Sequence, residues 1–369
     1  MTFSIVIPVY NAEKYIKECI ESVDAMVIPE GSSLEVLLVE NGSADESGQI
    51  CDACSEKDSK YRSLHFGKIG AYGARREGMK AAKGDYIFFA DADDKMDALA
   101  LVKVLGFLER RDEADFPDII LHNAAGIETP DKRMFDFSAG FEAGRIYKEA
   151  EKAQFYEIMC LNDSLNALWN KVISRGLARQ IVEGDAGRGI NDDENNGDGA
   201  DHIGGKQFNH GEDLLQTAEL IDKATSIVYL DEILYYYRDN AQGLTGSFHK
   251  EFLENQVDAW KSFDEYADKW TGDRFTKKIA ERKTLTCTIA VKSLVYSMLG
   301  TGEKKRELTR IMDDPFYKEY ALKALPQWAP EEDTYVHEIM TGDGAFEKLC
   351  SLGRSYKTKA MVKKLLGRK

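Results

Sequence analysis

The first half of the chain alternates between short β-branched runs and amphipathic segments, and this alternation limits the possible folds more than any other feature. The runs have the length and composition of buried strands and span residues 3–7, 34–39, 64–66 and 86–90. In the first intervening segment, apolar residues recur at steps of three and four from Ala12 to Val23, which predicts a helix capped by Asn11. Repeated strand–helix–strand units predict an α/β fold, a Rossmann-like, mostly parallel sheet with helices on both faces.

Polar segments follow three of these predicted strands at their carboxyl ends. They occupy residues 8–11, 40–43 and 91–94. Ligands of open parallel sheets bind at the edge where the strands end. We therefore expect the three segments to lie together in a ligand site, although they are far apart in the sequence.

Asp91, Ala92 and Asp93 form a D-x-D directly after the most convincing buried strand. Two carboxylates held at such a position are costly unless a cation joins them. Mg²⁺ and Mn²⁺ prefer carboxylate and phosphate oxygens, so the pair predicts a divalent metal site. A solvated acidic turn is the alternative interpretation. We expect Asp94 to cap a helix and not to bind the metal.

The second half of the chain is organised differently. Residues 183–210 are acidic, rich in Gly, Asp and Asn, and lack apolar periodicity, which predicts a mobile surface loop. From residue 251 onward the pattern is helical, with breaks near Gly300 and Pro315. These patterns predict an α/β domain at residues 1–250 and a helical C-terminal region at residues 251–369.

Charge and hydropathy restrict the partners and the location. A net charge of −15 argues against nucleic acid, because binding its backbone needs clustered positive charge. A strand signal from Phe3 leaves no room for a signal peptide, and no apolar run approaches the ~20 residues of a membrane span, so we expect a cytoplasmic protein. Residues 354–369 carry seven basic residues and no acidic one. This tail predicts peripheral contact with an anionic membrane at its inner face, or else a solvated tail.

Taken together, the motifs resemble those of glycosyltransferase family 2. The members of this family are inverting, metal-dependent enzymes of the GT-A fold. The resemblance runs from Phe3 to about Phe248 and is carried by residues 4–11, 37–43, 83–93, 168–171, 211–213 and 235–238. It implies transfer of a sugar from a nucleotide-diphosphate donor, expected to be a UDP-sugar, to a hydroxyl of a glycan or lipid-linked acceptor. It also implies Mn²⁺ or Mg²⁺ as cofactor and a role in bacterial surface polysaccharide synthesis.

The resemblance assigns roles to residues on the donor side. Tyr10 would stack on the nucleobase, and Glu40 would accept the N–H of the base where the family usually has Asp. Arg75, in a Gly-rich segment, would face the base or the diphosphate, while its neighbours Tyr72 and Arg76 depart from the family pattern and are expected to reshape this lip of the site. Asp93 would bind the metal and Asp91 the ribose. The predicted nucleotide site comprises Pro8, Tyr10, Glu40, Arg75, Asp91 and Ala92.

On the acceptor side, the resemblance identifies a catalytic base. Inverting transfer needs a base to deprotonate the attacking hydroxyl. Asp213 matches the base of the family, and Glu212 is the alternative. Arg238 and the loop that follows it, with Leu244 and Thr245, are expected to close over the diphosphate. The residues expected to shape the acceptor or donor-sugar pocket are Trp169, Asn170, Lys171 and Glu212. A tryptophan of the hydrophobic core is the alternative interpretation of Trp169.

Other classes of protein fit the sequence less well. A sugar nucleotidyltransferase usually carries a Gly-rich basic phosphate loop after its first strand, where this chain has residues 8–11. A catalytically inactive sugar-nucleotide-binding or scaffold subunit is a further alternative, against which the retention of both Asp93 and Asp213 speaks. No G-x-G-x-x-G follows any predicted strand, which argues against a dinucleotide oxidoreductase.

Overall fold

The computed structural model describes residues 1–135, 137–185, 211–240 and 248–365. Most of the predicted mobile loop at 183–210, and the loop residues Leu244 and Thr245, therefore lie outside the described residues. The chain divides into two compact units. The first comprises Met1–Met159 and Asp163–Asp239, and the second comprises Cys160–Asn162 and Asn240–Lys369.

The first unit is built on one large mixed sheet. Its strands are β1 (Thr2–Val9), β2 (Ser33–Asn41), β3 (Tyr61–Phe66), β4 (Tyr86–Phe89), β5 (Lys95–Met96), β6 (Ile119–Gly126), β7 (Thr129–Arg133), β8 (Ile146–Lys148), β9 (Lys171–Ser174) and β10 (Ser226–Tyr237). The strand order is β3-β2-β1-β4-β9-β6-β10-β5, with β7 beside β6 and β8 beside β10. The helices up to residue 223 are α1 (Ile16–Asp24), α2 (Ser47–Lys57), α3 (Gly70–Ala81), α4 (Ala100–Leu108), α5 (Ala153–Leu161), α6 (Arg175–Asp185) and α7 (Glu212–Lys223).

The predicted α/β class is confirmed, but the sheet is more mixed than the sequence pattern suggests. Strands β3, β2, β1 and β4 are parallel, as the alternation predicts. Strand β9 then inserts antiparallel to both β4 and β6, and β5 is antiparallel to β10. Strand β10 is a single long strand whose register against β6 shifts on both sides of Ile233.

Helix α3 packs closely on strand β1. A Cβ atom at Gly78 would lie 2.2 Å from Cγ1 of Val6, so a side chain there would push the helix off the strand. Val6 is fully buried, as are its strand neighbours Ile5 and Ile7. The start of α3 is fixed to the end of β2 by Asn41, whose Oδ1 accepts from the backbone N–H groups of Ile69 and Gly70 at 2.7 and 3.1 Å.

The strand ends that precede the three polar segments meet at one edge of the sheet. Val9 pairs with Glu40, and Val6 pairs with Phe89. The predicted capping role of Asn11 is wrong, because α1 begins only at Ile16. Asn11 instead adopts a left-handed conformation with φ 48°, and its Oδ1 accepts a hydrogen bond of 2.8 Å from the backbone N–H of Ala44. It thereby joins the loops that follow β1 and β2.

The second unit is helical. Its helices are α8 (Phe252–Thr271), α9 (Thr276–Val295), α10 (Thr301–Asp313), α11 (Pro315–Tyr320), α12 (Glu331–Thr341) and α13 (Ala345–Leu365). The predicted breaks fall at helix starts, since Gly300 precedes α10 and Pro315 is the first residue of α11. Within the described ranges, no helix is long and apolar enough to cross a membrane. The predicted basic tail begins in α13, and its last four residues lie outside the description.

Candidate active site

The D-x-D turn after β4 is anchored to the end of β10. The hydroxyl of Tyr235 accepts a hydrogen bond of 2.9 Å from the backbone N–H of Asp91 and donates one of 2.6 Å to Asp94. Asp94 is 1% exposed and also accepts from the backbone N–H of Arg238 at 2.6 Å. Its predicted role as a helix cap is wrong, because α4 begins six residues later, at Ala100. Burial, together with the charge of Asp91, raises the pKa of Asp94 to about 8.

Arg238 lies against the same turn. Its Nε donates a hydrogen bond of 2.7 Å to the carbonyl oxygen of Asp93, and its Nη2 donates one of 2.8 Å to Glu18. Lys95 pairs with the same carboxylate at 2.9 Å. These two cations lower the pKa of Glu18. The structure thus places Arg238 beside the D-x-D, whereas its predicted closure over a diphosphate stays a prediction.

A single guanidinium joins the donor side to the candidate base. Arg75, on α3, is 4% exposed. Its Nη2 donates to Oδ1 of Asp91 at 2.9 Å, and its Nη1 donates to Oδ1 of Asp213 at 2.7 Å. The side chains of the two carboxylates keep 34% and 35% of their surface exposed. Residues from the first and last thirds of the α/β unit therefore form one site.

Two acidic residues open α7, and both have raised pKa values. Gly211 precedes the helix in a left-handed conformation with φ 84°. Partial burial raises the pKa of Asp213 despite the opposing charge of Arg75, and Asp91 adds to the effect. Burial and the neighbouring Asp213 raise the pKa of Glu212 to about 7. A carboxylate with a raised pKa that is still ionised is a stronger proton acceptor than an ordinary one.

Trp169, Asn170 and Lys171 are buried, and Trp169 packs against Tyr235, which hydrogen-bonds the D-x-D turn. The indole of Trp169 stacks on the ring of Tyr235 with centroids 4.9 Å apart and is only 7% exposed. Lys171 is 2% exposed, and its ammonium donates to the carbonyl oxygens of Leu165 and Ala167 and to the side chain of Asn170. Burial lowers the pKa of Lys171 to about 7. The burial of Trp169 agrees with the alternative of a core tryptophan, and the role of these three residues at an acceptor pocket stays a prediction.

The predicted nucleobase residues lie at the same edge but have protein partners. Tyr10 is 39% exposed, with Nζ of Lys68 4.9 Å from its ring centroid, and Pro8 is half-buried at the end of β1. Glu40 is 6% exposed, and its Oε1 accepts from the backbone N–H of Ser43 at 2.5 Å. Its Oε2 is 3.6 Å from Nδ1 of His65.

His65 and Lys68 were missed by the sequence reasoning. The pKa of His65 is raised because its Nε2 lies 2.6 Å from Oδ1 of Asp52. His65 lies in β3, and Lys68 lies two residues after the end of that strand. Strand β3 ends at the same edge of the sheet as β1 and β2. The signal that could have identified them is their position at or just after the end of a predicted strand.

Arg76 and Tyr72 do not reshape the lip of the site. Arg76 is 2% exposed and donates to Glu219 at 3.1 Å, to the hydroxyl of Tyr72 at 3.0 Å and to the carbonyl oxygen of Ile181 at 2.7 Å. It therefore points towards α6 and α7. The reason is helical geometry, since successive side chains leave a helix about 100° apart. Arg75 faces the site and Arg76 faces the core.

The residues at the D-x-D fit a divalent cation that is shared with a phosphate ligand. In the described part of the chain, no group of three or more His, Cys, Asp or Glu side chains is arranged to hold a metal ion by itself. Mg²⁺ is commonly held by one or two carboxylates together with substrate phosphates. Asp93, a half-buried carboxylate at the turn, has the chemistry for such a ligand.

In the comparison with known proteins, the chain matches a glycosyltransferase family model and proteins named as glycosyltransferases. Residues 4–176 match the family model described as Glycosyl transferase family 2. EpsJ of Bacillus subtilis (strain 168), described as an uncharacterized glycosyltransferase, is 26% identical over 264 residues, which is 70% of this chain and 69% of EpsJ. EpsH of the same organism, a putative glycosyltransferase, is 23% identical over 326 residues, which is 86% of this chain and 84% of EpsH.

A solved structure shares the fold. Residues 1–349 of Staphylococcus aureus TarS, in complex with UDP-GlcNAc, match with a TM-score of 0.50 and 16% identity, over 100% of this chain and 93% of that chain. In sequence, TarS is named a poly(ribitol-phosphate) beta-N-acetylglucosaminyltransferase and is 29% identical over 128 residues, 34% of this chain and 22% of TarS. At these identities the structural match establishes the fold.

Proposed function

We propose that this chain, which belongs to glycosyltransferase family 2 and has the GT-A fold, is an inverting enzyme that uses a UDP-sugar donor. The observation that carries the proposal is the joining of Asp91 and Asp213 by one buried guanidinium, at 2.9 and 2.7 Å. A carboxylate suited to a donor and a carboxylate suited to a base thus lie in one site. The complex of TarS with UDP-GlcNAc supports uridine as the nucleoside.

Asp213 is the proposed catalytic base. The acceptor oxygen forms a bond to the anomeric carbon while the bond from that carbon to the diphosphate oxygen breaks. The acceptor proton passes to Asp213, and the electron pair leaves with the nucleotide diphosphate. Attack from the side opposite the leaving group inverts the anomeric centre. The raised pKa of Asp213 favours this proton transfer, and its position at the start of α7 favours the ionised form before the reaction.

The donor-side residues are proposed to hold the nucleotide. Asp93 would hold Mn²⁺ or Mg²⁺ together with the diphosphate, and Asp91 would accept from the ribose. The cation would offset the charge that develops on the leaving diphosphate. Tyr10 is exposed enough to stack on a base. Arg238, which lies beside the turn, is proposed to contribute positive charge next to the diphosphate.

The proposed acceptor is a hydroxyl of a glycan or lipid-linked glycan in the synthesis of a bacterial surface polysaccharide. The relatives support this class of acceptor, because the name of TarS specifies poly(ribitol-phosphate), a polymer with free hydroxyls. Lys171 and Asn170 are proposed to act indirectly, by bracing the segment before β9.

A panel of nucleotide diphosphates tests the donor assignment. With Mn²⁺ present, we expect UDP to raise the unfolding temperature more than GDP, ADP or CDP. A ligand at ~100 times its Kd stabilises the native state by about 2.7 kcal/mol, which thermal unfolding detects easily. UDP without Mn²⁺ is the control. A larger shift with another nucleotide would overturn the uridine assignment, and no shift with any nucleotide would overturn the donor site itself.

The basic tail at residues 354–369 is proposed to contact anionic lipid, because each basic residue near such a surface contributes about 1 kcal/mol. We expect the full chain to sediment with vesicles containing phosphatidylserine at moderate salt and not with neutral vesicles. A variant with the seven basic tail residues replaced by glutamine is the matched control. Equal sedimentation of that variant would refute the role of the tail.

A further inference from the structure

Both terminal nitrogens of the Arg75 guanidinium donate to carboxylates. Nη2 donates to Asp91, and Nη1 donates to Asp213 and approaches Oε1 of Gln216 at 3.4 Å. Gln216 is itself fixed, since its Nε2 donates to the carbonyl oxygen of Tyr72 at 3.1 Å. Nε of Arg75 is buried and has no hydrogen-bond partner among the described residues. Arg75 is 4% exposed, and its guanidinium is thus committed mainly to the two carboxylates, with one N–H of Nη2 left without a hydrogen-bond partner among the described residues.

Four charged groups act on Asp213, each from a different element. Arg75 lies on α3, Asp91 follows β4, Glu212 is on α7 and Lys171 is on β9. The ammonium of Lys171 donates its three hydrogen bonds to two carbonyl oxygens and a side-chain amide oxygen. Of the two cations, Arg75 alone hydrogen-bonds Asp213 within the described ranges. It therefore offsets the repulsion from Asp91 and Glu212 directly.

We propose that Arg75 is a positioning residue that clamps the base Asp213 to the donor-side residue Asp91, and that it is not a nucleotide ligand. The hydrogen bond from Nη1 engages one of the two carboxylate oxygens of Asp213, Oδ1. Because the same guanidinium holds Asp91, the base is fixed relative to the bound donor. This inference rests on the proposed function of Asp213, and it departs from the role that the family resemblance implies for Arg75.

The planar fork of arginine suits this task better than the ammonium of lysine. A guanidinium offers separate N–H groups in fixed directions and can donate to two carboxylates at once. Lysine at position 75 would keep the charge and lose the fixed bridge. Methionine or glutamine would remove the charge and leave the other three charged groups facing Asp213 unchanged.

The titration of Asp213 tests the clamp without an acceptor. The carboxyl carbon of Asp213 is followed by carbon-13 NMR in the full chain and assigned by its absence in Asp213→Asn. An opposite charge within ~4–6 Å lowers the pKa of an aspartate by about 1–3 units, so we expect the midpoint to rise by about that amount in Arg75→Met and Arg75→Gln. Arg75→Lys should stay closer to wild type. The matched control is Lys80→Met, which breaks an exposed pair with Glu77 on the same helix and should leave the midpoint unchanged.

Binding of UDP separates the clamp from a ligand role. By calorimetry with Mn²⁺, we expect the Kd of Arg75→Lys to stay within about threefold of wild type. A Kd that rises by about tenfold or more, or an unchanged midpoint in both neutral variants, would overturn the inference. The two neutral variants guard against one of them failing to fold, which thermal unfolding reports. Failure of wild type to bind any nucleotide would instead overturn the proposed function, and the titration result would not depend on it.

Discussion

Replacing Asp213 by asparagine lowers the turnover number for UDP release from a UDP-sugar by about 10²–10⁴-fold, the range that general base catalysis contributes. The amide keeps the shape of the side chain and can still accept from Arg75, but it cannot take a proton from the attacking hydroxyl. We expect the Kd of UDP with Mn²⁺ to change by less than about threefold, because among the described residues the hydrogen bonds that link Asp213 to the donor side run through Arg75. UDP-GlcNAc and UDP-glucose are the donors to measure.

The neighbouring acid provides the matched control for this substitution. Glu212 opens the same helix and has a pKa raised to about 7, so Glu212→Gln changes a similar carboxylate next to the proposed base. We expect Glu212→Gln to keep most of the turnover. If Glu212→Gln loses turnover and Asp213→Asn retains it, Glu212 is the base. Because a base must be ionised, wild-type turnover should fall as the pH drops through the raised pKa of Asp213.

The donor-side edge of the sheet could be predicted because its signals are local. The runs that became β1, β2 and β4 are apolar and β-branched, and parallel strands place their carboxyl ends together. The prediction that three distant polar segments converge therefore needed only the strand–helix alternation. The role of Asn11 was wrong for a local reason too, since its left-handed conformation serves the loop after β2 and not a helix start.

The other half of the site depends on contacts that local patterns do not encode. Trp169 is buried because Tyr235 of β10 stacks on it, and Asp94 is buried because the same tyrosine and Arg238 hydrogen-bond it. Adjacent Arg75 and Arg76 look alike in the sequence. Helical geometry turns the two side chains about 100° apart, and the position of α7 then decides that one meets Asp213 and the other meets Glu219. Such assignments require the tertiary placement of α7 and β10.

The substitution Asp93→Asn is expected to abolish the metal-dependent part of UDP binding. The backbone of the turn is held by the hydrogen bond from Arg238 to the carbonyl oxygen of residue 93 and by Tyr235 on Asp91, so this substitution removes charge and keeps the geometry. A ligand at ~100 times its Kd adds about 2.7 kcal/mol to stability. In Asp93→Asn, the increment from UDP with Mn²⁺ should fall to that from UDP alone in thermal unfolding.

Two comparisons make this result specific. Asp93 contributes to raising the pKa of buried Asp94, so removing its charge relieves repulsion and the ligand-free variant should unfold no earlier than wild type. Asp131→Asn, at an exposed position on β7, is the control and should keep the full increment. If Asp93→Asn keeps the increment and Asp91→Asn loses it, the metal ligand is Asp91. If neither loses it, the D-x-D does not bind the cation, and the alternative interpretation of a solvated acidic turn applies.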